Sequence, residues 1–147
     1  MVRQRSILSL ILVLLTTFLI SCGSPSVATA PPTYTPAQVA KIQEYFPDIQ
    51  VVRDRSQELQ TLIQSGEWIK VGNFIHGPMT EARLNMTYVI PNLLAQDQSK
   101  ARQITKDLLS DLVKIDKAAS GGNTSQALSA YKDAFADVDK FLQLIPE

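Results

Sequence analysis

The chain of 147 residues is poor in the residues that most often carry chemistry, having one Cys and one His. A lone thiol excludes a disulfide within the chain, and one Cys with one His cannot build the usual zinc, iron–sulfur or haem ligand sets. Surplus charge is missing as well: fourteen Lys and Arg balance fourteen Asp and Glu. Without a basic excess the chain cannot neutralise a row of phosphates, so nucleic acid is not an expected partner. There is no Gly-rich phosphate loop, no Ser elbow and no His placed to activate a nucleophile. The expectation is therefore a protein that is not an enzyme, with no catalytic residues, no metal ligands and no cofactor. No stretch alternates apolar and polar residues as a half-buried strand would.

What is present begins at the amino terminus. Arg3 and Arg5 precede fourteen uncharged residues, Ile7 to Ile20, of which only Ser9, Thr16 and Thr17 are polar. A helix that crosses a bilayer needs about 20 apolar residues, so this run predicts a cleaved leader rather than a span. Leu19, Ile20, Ser21 and Cys22 have the form of a bacterial lipobox, which predicts cleavage between Ser21 and Cys22 and a diacylglycerol on the Cys22 thiol. Two or three acyl chains make such an attachment effectively permanent. The predicted organisation is a leader over 1–21, a lipidated Cys and Pro-rich tether over 22–35, and a folded domain over 36–147. Without residues 1–21 the chain carries twelve positive and fourteen negative side chains, a mildly acidic balance. The tether, extended at about 3 Å per residue, reaches roughly 40 Å.

Beyond the tether the apolar spacing is helical. Val39, Ile42, Phe46, Ile49, Val52, Leu59 and Ile63 trace one face, with Thr35 as cap and Pro36 in the first turn. Pro47 predicts a break or a kink, with Asp48 opening the next segment and Gly66 ending the arm. Trp68, Val71, Ile75, Met79, Ala82, Met86, Val89 and Leu93 form a second stripe, interrupted by a bend at His76–Pro78 and again at Pro91. Asp97 or Ser99 is placed to cap a third helix with Ala101, Ile104, Leu108, Leu112, Ile115 and Ala119 inward. Ser120-Gly121-Gly122-Asn123 predicts a turn, and Leu128, Tyr131, Phe135, Val138, Leu142 and Ile145 face inward on a fourth helix that stops at Pro146. Four amphipathic arms joined by short turns predict an all-α, up-down-up-down four-helix bundle, monomeric on its own.

Few side chains stand out against that background. His76 beside the bend is a candidate proton switch or docking contact, although a half-exposed His bonded to nearby backbone is the commoner outcome. Asp107 with Asp111 and Asp133 with Asp137 place carboxylates one turn apart, a spacing that could hold a divalent ion loosely. Lys106, Lys114, Lys132 and Lys140 are interleaved with them, which predicts an ordinary solvated face. Phe74, Trp68, Tyr88 and Tyr131 invite a pigment or haem reading, but aromatics at helical spacing are usually core. On the residues alone, two readings stand: a lipid-anchored docking subunit, or a periplasmic helical lipoprotein acting as a metal-binding or chaperone-like assembly factor.

The segment Trp68-Ile-Lys-Val-Gly-Asn-Phe-Ile-His-Gly-Pro-Met-Thr-Glu-Ala-Arg83 goes further. It resembles the most recognisable stretch of the PsbQ family, in which a Trp is followed by Ile-His-Gly-Pro and an Arg. The lipobox, the Pro-rich lead-in and the closing Phe141-Leu-Gln-Leu-Ile-Pro146 resemble the family's cyanobacterial lipoprotein branch. The resemblance implies an extrinsic subunit of photosystem II on the lumenal side of the thylakoid membrane, in contact with the core and neighbouring extrinsic subunits. It implies a role in stabilising the oxygen-evolving complex and its calcium and chloride, without ligating the manganese cluster. Trp68, His76, Gly77, Pro78 and Arg83 carry over as candidate docking residues. Met79 and Thr80 depart from the Leu and Gly of many relatives.

Overall fold

The structure is a computed structural model that describes residues 32–146; the predicted leader, the Ser21–Cys22 junction and most of the tether lie outside the described residues. The described chain is helical, with no strand in it. Helix α1 spans Pro36–Asp54, α2 Ser56–Gln64, α3 Trp68–Phe74, α4 Thr80–Val89, α5 Ala95–Ser120 and α6 Thr124–Leu142. A π-helical turn, Ile75–Met79, joins α3 to α4, and a 3-10 turn, Ile90–Asn92, extends α4. These pieces make the four expected arms: α1 with α2, α3 through the 3-10 turn, α5, and α6. Each arm packs against the two beside it in the square, and successive arms run antiparallel.

The local signals explain most boundaries. Thr35 and Gln38 form a reciprocal cap, in which the Gln38 amide donates to the Thr35 hydroxyl at 3.3 Å and the Thr35 amide donates to Gln38 Oε1 at 2.9 Å. Gly66 and Gly122 both take positive φ, 66° and 64°, and reverse the chain at the same end of the bundle. Asn123 caps α6 by accepting from the Gln126 amide at 3.0 Å.

Four expectations are corrected. The first arm does not break at Pro47: α1 continues through it, and the interruption lies at Arg55, with φ −86° and ψ 8°. Pro47 and Gln43 are both exposed, so water can serve the carbonyl that Pro47 leaves unpaired, while Ile42, Ile49 and Val52 bury the inner face on both sides of it. Neither Asp97 nor Ser99 caps the third arm, since α5 starts at Ala95 with Asp97 already in its first turn. The Gln98 amide closes the preceding loop instead, donating to the carbonyls of Leu93 at 3.0 Å and Pro91 at 3.3 Å. The last helix ends at Leu142, before Pro146. Val39, Phe46, Trp68, Leu128, Leu142 and Ile145, expected inward, are only half-buried, because they lie at the edges of the stripes or near the ends of the bundle.

The core runs the length of the bundle, and Ile42, Ile49, Leu59, Leu108, Ile115 and Phe141 are fully buried. Each such side chain stabilises the fold by roughly 1.5–3 kcal/mol relative to exposure. Polar ties fix the arms laterally: Asn85 on α4 donates to Asp48 on α1 at 3.2 Å, and Arg53 on α1 pairs with Asp139 on α6. At the end where the chain enters the bundle, the Tyr34 hydroxyl donates to the Leu144 carbonyl at 3.3 Å. No helix among the described residues is long and apolar enough to cross a membrane.

Candidate docking interface

The π turn is where the second arm departs from regular helix. Pro78 has no N–H to give, and its ring would press on the carbonyl one turn back, so a regular α turn is disfavoured there. The turn widens instead, and the Ile75 carbonyl accepts from both the Thr80 amide and, at 2.8 Å, the Thr80 hydroxyl. Met79 and Ile75 remain buried beneath it, so the irregularity sits on a fixed base. Thr80, a departure from many relatives in the resemblance, thus supplies a bond that a Gly could not.

The five candidate residues do not form one patch. Trp68 stands at the end of the bundle, with its indole Nε1 beside both reversals: a methyl group added at Gly66 or Gly122 would lie 3.7 or 3.8 Å from it. Pro78 faces the first arm and lines a cleft with Arg55, Glu58, Leu62 and Phe74, where the Arg55 guanidinium lies 4.8 Å from the centre of the Phe74 ring. His76 turns the other way, toward α5, and its Nε2 is 3.1 Å from Asp116 Oδ1. Its partner is therefore a carboxylate on another arm, where the sequence favoured backbone. Gly77 is exposed, has no positive φ, and a Cβ there would meet open space, so the free bundle does not require glycine. Arg83, two turns beyond His76, is half-buried in the seam between α4 and α5.

That seam holds residues the sequence did not single out. Arg83, Thr87, Ile90 and Pro91 form one wall of an open groove of about 390 Å³, and Arg102, Thr105, Lys106 and Leu109 form the other. Arg102, Lys106, Leu109 and Val113 recur at fours and threes along α5 and so share one face. Leu109 and Val113 are 43% and 59% exposed. Among the described residues, no carboxylate lies within 4 Å of Arg83, Arg102 or Lys106. Lys106 was expected to sit among the acids; helical spacing puts it on the opposite side of α5. The signal was legible as a four-residue step between two cations continued by two aliphatics.

The acids gather in the other seam of α5, against α6. Asp107, Asp111, Asp133 and Asp137 line it with Lys114 and Lys140. The expected solvated face is half wrong, for Asp111 and Asp137 are buried, 6% and 5% exposed. Each is held by the Lys three residues on, Lys114 at 2.6 Å and Lys140 at 2.8 Å. The paired carboxylates hold both ammonium groups above the ordinary lysine value, by hydrogen bonding first and by charge attraction second. Among the described residues, no cluster of three or more His, Cys, Asp or Glu is arranged to hold a metal ion.

The distinctive side chains of the four-arm bundle thus lie in open, solvent-facing seams. The sequence matches the PsbQ family, described as oxygen evolving enhancer protein 3, over residues 2–146. A relative named CyanoQ, from Synechocystis sp. strain PCC 6803, is 44% identical over 148 residues, covering 100% of this chain and 99% of its own. The chain belongs to the PsbQ family.

Proposed function

We propose that the chain is a lumenal, lipid-anchored subunit of photosystem II that stabilises the oxygen-evolving complex and its retention of calcium and chloride without catalysing a reaction itself. Membership of the PsbQ family makes it an extrinsic photosystem II subunit, and the full-length match to CyanoQ is the observation that carries this reading. The finer steps rest on chemistry. Cys22 is the single thiol of the chain and follows a lipobox, so it is the lipid attachment point. An anchor confines the search for a partner to two dimensions and raises effective concentration, which lets a modest interface suffice. Contact falls on the second arm, where His76, Gly77 and Arg83 offer a carboxylate-bridged imidazole, an open backbone and a guanidinium fork.

The test is co-purification with photosystem II, followed by oxygen evolution measured with and without added calcium and chloride. Loss of the chain should leave evolution more dependent on both ions. Cys22→Ala should leave a soluble or unprocessed product, and detergent-phase partitioning equal to the wild type would refute the anchor. Arg83→Ala should weaken co-purification while the purified protein melts as before.

A further inference from the structure

Among the described residues, the groove between α4 and α5 gathers three cations, Arg83, Arg102 and Lys106, with no Asp or Glu in its lining. Of the nine other lysines and arginines of the described residues, six are paired, five with an acid three residues away and Arg53 with Asp139 on another helix. The acids of α5 that could have neutralised Arg102 and Lys106 lie across the helix: Asp107 accepts from Gln103 at 2.8 Å and Asp111 from Lys114. Between the cations the floor is aliphatic, with Ile90 and Leu109, and the α5 row runs on to exposed Val113. Like charges held together without a counter-charge repel one another, and an arriving anion relieves that repulsion.

We infer that this groove is a receptor for a carboxylate-bearing segment of a partner protein, with Asp or Glu side chains on Arg83, Arg102 and Lys106 and an aliphatic side chain on Leu109. The inference deepens the docking reading above and rests on it for the partner's setting. Two guanidinium forks favour planar carboxylates, which they bind through paired hydrogen bonds. A membrane surface is the poorer fit, since attraction to anionic lipid usually takes four to eight clustered cations and the groove has three. An apolar strip between charges also matches an interface, where a dry centre is rimmed by polar contacts.

The experiment compares two charge reversals in the full-length chain, rebound to photosystem II particles that have been washed free of it. Arg102→Glu changes the groove; Lys132→Glu makes the same change of charge on an exposed position of α6, an arm not adjacent to the second. Arg102→Glu should raise the concentration for half-maximal rebinding about tenfold, the loss of roughly one charge-assisted contact. Lys132→Glu should stay within about twofold of wild type. Equal effects would mean that only net charge matters, and would overturn the groove, as would no effect of Arg102→Glu with the melting temperature preserved. A second arm places photo-reactive p-benzoylphenylalanine at Leu109 and identifies the adduct by mass spectrometry. An Asp- or Glu-rich protein segment supports the receptor, whereas a lipid adduct or a segment without carboxylates overturns it. If wild-type protein fails to rebind photosystem II while Leu109 still captures an acidic segment elsewhere, the photosystem reading falls and the groove stands.

Discussion

The two long seams of α5 are opposites. Toward α6 the seam is acidic, with one buried carboxylate from each helix, Asp111 of α5 and Asp137 of α6, each held by its own lysine. Toward α4 it carries cations with no carboxylate within reach, set among exposed aliphatic side chains. Charges satisfied within the chain are part of the fold, because removing one leaves a buried partner poorly solvated. Charges left without a counter-charge contribute little to the folded state and are available to something else. One helix thus has an edge whose charges are satisfied within the fold and an edge whose charges have no counter-charge within reach, separated by about half a turn.

The comparison can be broken or sharpened by substitution. The largest effect should come from beneath both seams: Leu108, fully buried, should cost about 2–5 kcal/mol on Leu108→Ala, read by urea unfolding. That variant should weaken both edges together. Next, Asp111→Asn with Asp137→Asn should lower the melting temperature by several degrees, whereas Arg83→Gln with Lys106→Gln should leave it unchanged. Equal losses from the two pairs would abolish the distinction. Gly77→Ala should raise the stability of the free protein by up to about 1 kcal/mol, because it removes backbone freedom from the unfolded chain and the new methyl meets no atom. If the second arm is the contact face, the same variant should associate less well; stabilised and fully binding protein would move the interface away from Gly77.

The smallest effect is one of pH. Lys114 and Lys140 are held above the ordinary lysine value of 10.5 by Asp111 and Asp137. A cation whose folded pKa is raised contributes stability that is complete below the unfolded value and is lost as pH rises through the folded one. The α5–α6 seam should therefore loosen only above pH 10.5, seen as a small extra fall in melting temperature that Asp111→Asn with Asp137→Asn abolishes. Both lysines are well exposed, so the effect is slight and shrinks in salt.

The pattern of threes and fours was enough to specify the bundle, since only helices bury such stripes, and Gly66, the Gly121–Gly122 pair and Thr35 marked turns and a cap directly. Pro47 misled because its effect depends on whether the orphaned carbonyl faces water, which is a tertiary fact. Asp97 and Ser99 misled because the helix starts earlier, at Ala95, which puts both inside it, and no side chain caps its first turn. The seams were hidden for a related reason: Lys106 and Asp107 are neighbours in sequence yet face opposite arms, so charge counted along the chain averages to nothing. Of the candidate contacts, Arg83 lines the groove between α4 and α5, but Arg102 and Lys106 beside it come from another helix and carry no motif of their own.

The bond from Tyr34 to the Leu144 carbonyl places both ends of the described chain at one end of the bundle, while the Gly66 and Gly122 reversals and Trp68 mark the other. That fixes where a reporter can be added. A tag fused after Glu147 crowds the stretch through which the domain is connected to its predicted anchor. A small label inserted between Gly121 and Gly122 stands a full helix length away, on a turn that α5 and α6 hold shut without its side chains. A fluorophore there sits at the opposite end of the bundle from Tyr34, where the described chain enters it.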